Sequence, residues 1–268
     1  MTALSLTLDT PDLAQHYDNA SVDRQFRAGK LLIERLAIEP GERVLDVGSG
    51  TGLLAEYVAG LVGPSGSVNA VDPLPLRIEL AQKKARPNLT FAVDDAYKLD
   101  GFADASFDVV YLNAVFHWFP EKRAPLQNFR RLLKQGGRLG IATGSKDHPN
   151  RIHDAKRKVL ARAPYAGYAE PESGQPLRVT SDELRGLLEE AGFEVQTLVV
   201  EPNSTVHATA EAAVQHSQAS SFGNFLGHLP ATLAAQARAE ILAELEQLRT
   251  PEGIPQTGAR INVVAIKR

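Results

Sequence analysis

The chain has 268 residues, of which 43% are hydrophobic and 23% are charged, and its net charge at neutral pH is −3. This is the composition of an ordinary globular protein, and the length suits one large α/β domain. The small net charge excludes an overall field that would attract nucleic acid or an anionic membrane. The sequence contains no cysteine, which excludes disulfides, thiolate nucleophiles and cysteine-bound metal clusters.

Other classes are excluded by patterns that the sequence lacks. The first residues do not combine a basic start with the apolar core of a signal peptide. A run of about 18 apolar residues, which would span a bilayer, does not occur. The seven histidines are scattered, and none has the spacing of a metal site. We therefore expect a cytoplasmic protein without a metal, a membrane partner or a nucleic-acid partner.

Three glycines at alternate positions are the strongest local signal. An apolar strand, Arg43–Val47, runs directly into Gly48, Gly50 and Gly52. The apolar spacing that follows predicts a helix over 51–62. A strand, a glycine turn and a helix N-terminus together let a ligand press against backbone N–H groups.

A carboxylate follows the glycines at an informative distance. The second predicted strand, Ser67–Asp72, ends in an acidic residue about 20 residues past the glycines, the spacing at which a carboxylate meets a ribose diol in α/β proteins. The sequence therefore predicts an adenosine-like ligand at the C-terminal edge of a parallel sheet.

Strands and helices alternate along the rest of the chain. Further strands are predicted at 88–93, 107–112, 138–143, 193–200 and 261–266, and helices at 75–86 and 122–134. Gly136 and Gly137 are expected to end the helix at 122–134 and to open the next strand. A capping-box pattern at 180–183 begins another helix. This alternation predicts an α/β fold with a parallel sheet covered by helices on both faces.

Two segments, 148–179 and 201–259, do not fit the alternation, and we interpret them together with residues 12–36 as a lid over the open edge of the sheet. We interpret residues 1–268 as a single domain with a core at about 40–200 and 260–268, an N-terminal lid at about 10–39 and a helical cap at about 201–259. Each cap helix has one apolar stripe, too little for a core of its own. Phe222 and Phe225 are candidates for lining an acceptor pocket under the cap. The alternative for the cap is an arm that joins two copies into a homodimer.

Four short motifs follow one another along the chain in the order found in a known family. They are 45–52, 71–72, 94–96 and 107–113, and their sequence resembles that of class I S-adenosylmethionine-dependent methyltransferases of the small-molecule branch, which includes ubiquinone-type, trans-aconitate and arsenite methyltransferases. The resemblance covers roughly 42–143. It implies a Rossmann-like, mostly parallel seven-stranded sheet with a helical cap, S-adenosyl-L-methionine as cofactor, and methyl transfer to a small molecule. Arsenite chemistry is not carried over, because it needs the cysteines that this chain lacks.

The resemblance also implies residue roles in cofactor binding. Asp72 would accept hydrogen bonds from the ribose hydroxyls, Asp95 (favoured over Asp94) from the adenine amino group, and Asn113 would face the methionine part. Asp46 would orient the loop or meet the amino group through water. The full set of cofactor-binding candidates is Tyr17, Asp46, Gly48, Ser49, Gly50, Asp72, Pro73, Asp95, Ala96 and Asn113. For Tyr17 the alternative is a surface aromatic residue.

The candidates for catalysis and acceptor binding lie outside the four motifs. His117 follows the fourth strand and is a candidate general base, since histidine titrates near neutral pH. Its alternative role is a ring packed beside the cofactor. Trp118 is a candidate wall of the acceptor pocket. Arg151, in a basic segment, is a candidate for binding an anionic acceptor, although the pattern of that segment is more typical of the solvated face of a helix.

Two other functions stay open at this level. A dinucleotide-dependent oxidoreductase would need G-x-G-x-x-G, but position 53 is leucine, and only a degenerate match from Gly50 to Ala55 remains. A methyltransferase fold can also bind S-adenosylmethionine without transferring a methyl group, or use the sulfonium in another reaction.

Overall fold

Strands and helices alternate through the computed structural model, which describes residues 22–148, 150–168, 176–220 and 226–268. The elements in chain order are α1 (Val22–Leu36), β1 (Arg43–Val47), α2 (Leu53–Val62), β2 (Ser67–Asp72), α3 (Pro75–Gln82), β3 (Leu89–Val93), β4 (Phe107–Asn113), α4 (Arg123–Leu132), β5 (Leu133–Gly144), α5 (Arg151–Leu160), α6 (Ser181–Glu190), β6 (Phe193–Pro202), β7 (Thr205–His207), α7 (Ala210–Ser220), α8 (Ala231–Glu246), β8 (Ile254–Gln256) and β9 (Ala259–Lys267). None of the described helices is both long and apolar enough to cross a membrane.

A seven-stranded sheet forms the centre of the protein, in the order β3-β2-β1-β4-β5-β9-β6. Strands β1 to β5 pair in parallel, whereas β9 pairs antiparallel with both β5 and β6. The prediction of a Rossmann-like, mostly parallel seven-stranded sheet is confirmed. The direction of β9 has a consequence for the site, because its first residues lie at the carboxyl edge of the parallel strands.

Each face of the sheet is covered by helices that bury an apolar stripe. On one face, Leu32 of α1, Val58 of α2 and Ile78 of α3 are buried in a common core. On the other face, Phe129 of α4 and Leu188 of α6 are buried. Side chains of a strand alternate between the faces, so every central strand contributes to both cores.

The start of α6 forms the predicted capping box. The Thr180 hydroxyl accepts from the Glu183 N–H at 3.1 Å, and the Glu183 carboxylate accepts from the Thr180 N–H at 2.8 Å. Two backbone donors that would otherwise lack partners at the helix start are satisfied in this way.

The junction between α4 and β5 differs from its prediction. The helix ends at Leu132 and the strand begins at once with Leu133, so the expectation that Gly136 and Gly137 separate them is wrong. Leu133 is fully buried and pairs with Phe107, with a register irregularity before the main ladder. Pairing with β4 therefore overrides the helical spacing of the local sequence, and the glycines lie inside an irregular strand.

The helices of 201–259 pack into a core that they share with another segment. Ala237, Ile241 and Leu245 of α8 are fully buried against Ile152 and Val159 of α5. The prediction that the cap helices could not build a core alone agrees with this packing, because α5 lies outside 201–259. The ends of the insertion are adjacent, since the last residue of β6 pairs with the first residue of β9.

Candidate active site

The glycine loop between β1 and α2 needs its glycines. Gly48, Gly50 and Gly52 have φ angles of +77°, +56° and +84°, in the left-handed region that side chains disfavour. The N–H groups of Gly48 and Ser49 both donate to the carbonyl of Val71, at 2.7 and 3.0 Å. The loop is therefore fixed against the end of β2, at the carboxyl edge of the sheet.

Asp72 joins the loop to the next turn. It is only 4% exposed, and its two carboxylate oxygens accept from the N–H groups of Gly50 at 2.9 Å and Leu74 at 3.0 Å. A carboxylate can accept several hydrogen bonds at once, as the ribose role predicted for Asp72 would require. Asp72 thus lies beside the glycine loop, as expected, and holds it in place, while its role towards a ribose stays a prediction.

Asp46 is a buried carboxyl group that pairs with a tyrosine. Asp46 and Tyr111 are register partners on β1 and β4, and the Tyr111 hydroxyl donates to Asp46 Oδ2 at 2.6 Å. Burial raises the pKa of Asp46 from 3.8 to about 7; the tyrosine hydrogen bond lowers it in part, and the charge of Asp72 adds to the rise. The sequence did not indicate Tyr111, which is fully buried and has the pattern of an ordinary strand residue.

The turn after β3 contains the predicted adenine-side residues. The Asp94 carboxylate accepts from the Asp95 N–H at 2.8 Å, and Asp95 Oδ1 accepts from the Tyr97 N–H at 3.0 Å. Ala96 is buried, and the Asp94 N–H donates to the carbonyl of Asp72 at 3.3 Å. The turn therefore lies directly beside Asp72, while the role of Asp95 towards adenine stays a prediction.

A cavity of about 60 Å³ lies at the glycine loop. It is lined by Gln25, Phe26, Asp46, Gly48, Ser49, Gly50, Thr51, Leu53, Leu54 and Asn113. Ordinary small-molecule sites measure roughly 300–1,000 Å³, so this one is narrow. The first turn of α1 covers it, since Asn113 Nδ2 donates to the Gln25 carbonyl at 3.1 Å.

The residues of this cavity fit S-adenosylmethionine chemically. The buried hydroxyl of Ser49 has no hydrogen-bond partner in the described chain, although buried polar groups are normally satisfied. Two neighbouring carboxyl groups, Asp46 and Asp72, suit a ligand that carries a sulfonium and an ammonium group. Asn113 adds an amide at the end of β4.

His117 lies in the short helix after β4, at the edge of this site. Its Nδ1 is 3.0 Å from Thr143 Oγ1, and its carbonyl accepts from the Leu177 N–H at 2.6 Å. Burial lowers the pKa of His117 to about 3, and the nearby cations Arg178 and Arg260 lower it further. A group with this pKa is neutral at physiological pH and is a weak base there.

The other predicted residues have mixed outcomes. The Trp118 ring is 4.8 Å from the His117 ring, which places it at the same edge. Pro73 follows Asp72 in the turn that leads to α3. Tyr17, Phe222 and Phe225 lie outside the described residues.

The basic segment forms a helix with one buried and one exposed face. Arg151 is exposed at the start of α5, whereas Ile152, Ala155 and Val159 are buried, as the solvated-face interpretation predicts. The sequence interpretation missed two arginines, Arg178 and Arg260, whose charges act on His117. Arg260 Nη1 donates to Asn113 Oδ1 at 3.3 Å. It is at the start of β9, and only the antiparallel direction of that strand brings it to this edge.

Comparison with known proteins agrees with this geometry. Residues 45–141 match the family model of a methyltransferase domain. The chain is 33% identical over 178 residues to an arsenite methyltransferase of Halobacterium salinarum, covering 63% of this chain and 41% of that protein. It is 36% identical over 167 residues to the O-methyltransferase cnsE of Penicillium expansum, covering 60% of this chain and 55% of that protein.

A solved structure supports the fold over a longer stretch. The YcgJ protein of Bacillus subtilis superposes with a TM-score of 0.64 at 19% identity, covering 90% of this chain and 98% of that one. The chain spans about half the length of the curated relatives it matches. The motif order, the sheet and these matches agree: residues 45–141 form a methyltransferase domain, and the fold around it is that of the class I S-adenosylmethionine-dependent methyltransferases.

Proposed function

We propose that this protein transfers a methyl group from S-adenosylmethionine to a small-molecule acceptor. The observation that carries the proposal is the cavity at the glycine loop. It is lined by Asp46 and by Ser49, whose hydroxyl has no partner in the described chain, and it lies beside the hydrogen bond from Gly50 to Asp72. The bound cofactor supplies an activated methyl group on its sulfonium, so alignment with the acceptor gives much of the rate.

Each residue of the site would bind a different chemical group of the cofactor. Asp72 accepts from the ribose hydroxyls while it holds Gly50 in place. A bound cation would favour the charged form of the Asp46 carboxyl group. The Ser49 hydroxyl and the Asn113 amide offer donors to a carboxylate. Because the cavity is narrow, the cofactor enters when the first turn of α1, with Gln25, moves away from Asn113.

The acceptor would lie between the sheet edge and the cap. Residues that exclude water around a reacting centre strengthen every electrostatic interaction within it. The candidate cover is the cap formed by α7 and α8, which packs against α5. The interpretation of the chain as one domain with a cap at about 201–259 is part of this proposal. His117 serves there as a neutral hydrogen-bonding and packing group, since a base is needed only for an acceptor that must lose a proton.

The lack of cysteine excludes one class of acceptor. Arsenite is the substrate in the name of one relative, but this chain has no cysteine to hold trivalent arsenic. An organic molecule is the proposed acceptor. The cytoplasmic location, the absence of a nucleic-acid partner and the homodimer alternative remain predictions from the sequence.

Calorimetric titration with S-adenosylhomocysteine tests the proposed cofactor binding. Asp72→Asn keeps the size of the side chain but loses an anionic acceptor, and is expected to weaken binding by about 2–4 kcal/mol. Asp100→Asn removes the same charge from an exposed position and is the control. Thermal unfolding checks that both variants remain folded. Equal binding by wild type and Asp72→Asn would overturn the assignment.

The transfer arm is tested with methyl-labelled S-adenosylmethionine and fractionated metabolite extracts. We expect label in an acceptor together with one equivalent of S-adenosylhomocysteine. Formation of methylthioadenosine without a labelled acceptor would instead show that the sulfonium is used for another reaction. Cofactor binding without any turnover across the extracts would favour a binding protein.

A further inference from the structure

A second and much larger cavity lies near the carboxyl edge of the parallel strands. It has a volume of about 1040 Å³ and is formed by the start of α4, the end of β5, α5 and α6. Its lining is Pro120, Lys122, Arg123, Ser145, Lys146, His148, Asn150, His153, Asp154, Arg157, Pro176, Leu177, Arg178, Val179, Glu183, Gly186, Leu187 and Glu190. The volume is in the range of small-molecule sites, and the wall combines apolar and polar groups.

The charges of this cavity do not balance. Each acidic side chain is bound by one cation: Glu190 by Arg123 at 3.0 Å, Glu183 by Lys146 at 3.5 Å, and Asp154 by Arg157. Two cations are left over, Lys122 and Arg178. Neither has a carboxylate within ion-pair distance among the residues that the structure describes.

Both surplus cations are partly removed from water. Lys122 Nζ donates to the Phe119 carbonyl at 2.8 Å, and Arg178 Nη2 is 3.3 Å from His153 Nε2. Burial lowers the pKa of both side chains, and for Lys122 the charge of Lys146 adds to this. A desolvated cation without an anion is unfavourable, so a ligand anion would be strongly attracted.

Arg178 also lies next to the residues of the methyl-transfer site. It packs over the end of β5, since a Cβ on Gly144 would be 2.9 Å from its Nε. The preceding residue, Leu177, donates to the His117 carbonyl. His117 is within electrostatic range of both Arg178 and Arg260. Arg260 in turn bonds Asn113 of the cofactor cavity, so a few side chains link the two cavities.

We propose that this cavity binds the anionic group, a carboxylate or a phosphate, of the methyl acceptor, with Arg178 and Lys122 as its anchors. The guanidinium of Arg178 offers paired donors that match the geometry of either anion, and Lys122 adds a point charge. The apolar wall of Leu177, Val179 and Leu187 suits the body of such a molecule. Calling the anion a methyl acceptor rests on the proposed function, whereas the anion site itself does not.

The test measures binding without any methyl transfer. Calorimetry at constant ionic strength compares inorganic phosphate, benzoate and the uncharged benzamide, so that phosphate and carboxylate preferences are separated. We expect wild type to bind phosphate or benzoate and not benzamide. Arg178→Gln and Lys122→Gln should each weaken that binding by about tenfold or more, since each removes a charge-assisted bond.

Arg162→Gln is the matched control. It removes one positive charge from a side chain outside the cavity, and its partner Glu244 keeps Lys158. We expect its anion affinity to equal that of wild type. The unfolding temperature of each variant is measured first, and Lys122→Gln decides if Arg178→Gln does not fold.

Two results would overturn the anion site. One is wild-type protein that binds neither phosphate nor benzoate, and the other is anion binding that Arg178→Gln and Lys122→Gln both retain. A parallel titration with S-adenosylhomocysteine keeps this inference separate from the proposed function. Cofactor binding without anion binding would refute only the site, and anion binding without cofactor binding would refute only the methyltransferase activity.

Discussion

The raised pKa of Asp46 predicts an unusual dependence of stability on pH. Asp46 is 2% exposed, and burial raises the pKa of its carboxyl group from 3.8 to about 7. The folded protein therefore binds this proton more tightly than the unfolded chain does. The stabilisation is fully present below the unfolded pKa and is lost as the pH rises through the folded pKa. Asp46→Asn removes the titration and keeps an acceptor for the Tyr111 hydroxyl.

The size of the effect follows from the two pKa values. A tenfold difference in proton affinity between the folded and unfolded states corresponds to about 1.4 kcal/mol. Integrated between about pH 4.5 and about pH 8, the two titration curves predict that wild type loses about 3 kcal/mol of unfolding free energy through this group. Asp46→Asn should not show this loss, so its stability relative to wild type should improve by about 3 kcal/mol over the same interval.

Urea unfolding at the two pH values measures this difference directly. Titrating groups that do not interact with Asp46 are common to both proteins and cancel in the comparison. Asp100→Asn, at an exposed position, is the control and should change the unfolding free energy equally at both pH values. Parallel pH curves for wild type and Asp46→Asn would refute the reasoning, because the carboxyl group would then titrate alike in the folded and unfolded states.

Three further predictions concern the loop, the cap and the histidine. Gly48→Ala should cost about 1–3 kcal/mol in urea unfolding, because φ is +77° and its Cβ would lie 2.3 Å from Val115. Gly60→Ala, in a helix with no atom within 4 Å of the new Cβ, should instead stabilise by about 0.5–1 kcal/mol; equal effects would contradict the loop geometry. Ile241→Ala should destabilise the cap core by about 2–5 kcal/mol and reduce transfer while S-adenosylhomocysteine titration is unchanged, and loss of cofactor binding would count against a separate cap role. His117→Gln should lower turnover without changing the shape of the pH–rate profile around neutrality, since the pKa of His117 is about 3; loss of a limb near neutral pH would identify a general base.

Local sequence patterns determined the elements that form the cofactor side of the fold. The bounds of β1 and β2 were predicted to the residue, because an apolar strand stopped by glycines or by a carboxylate has little alternative. The capping box at Thr180 and the buried stripe of α5 also follow from near neighbours in sequence. The strand end at Asp72 and the glycine loop came together as expected, since carboxyl ends of parallel strands share one edge.

The tertiary structure decided what depends on partners distant in sequence. The junction at Leu133 became a strand because β4 lies beside it. Tyr111 became the partner of Asp46 only through the register of β1 with β4. Arg178 and Arg260 reached the carboxyl edge of the parallel strands because β5 ends and the antiparallel β9 begins there. A sequence shows the charge and apolarity of each residue, but pKa values, unbalanced charges and cavities arise from neighbours that only the folded chain brings together.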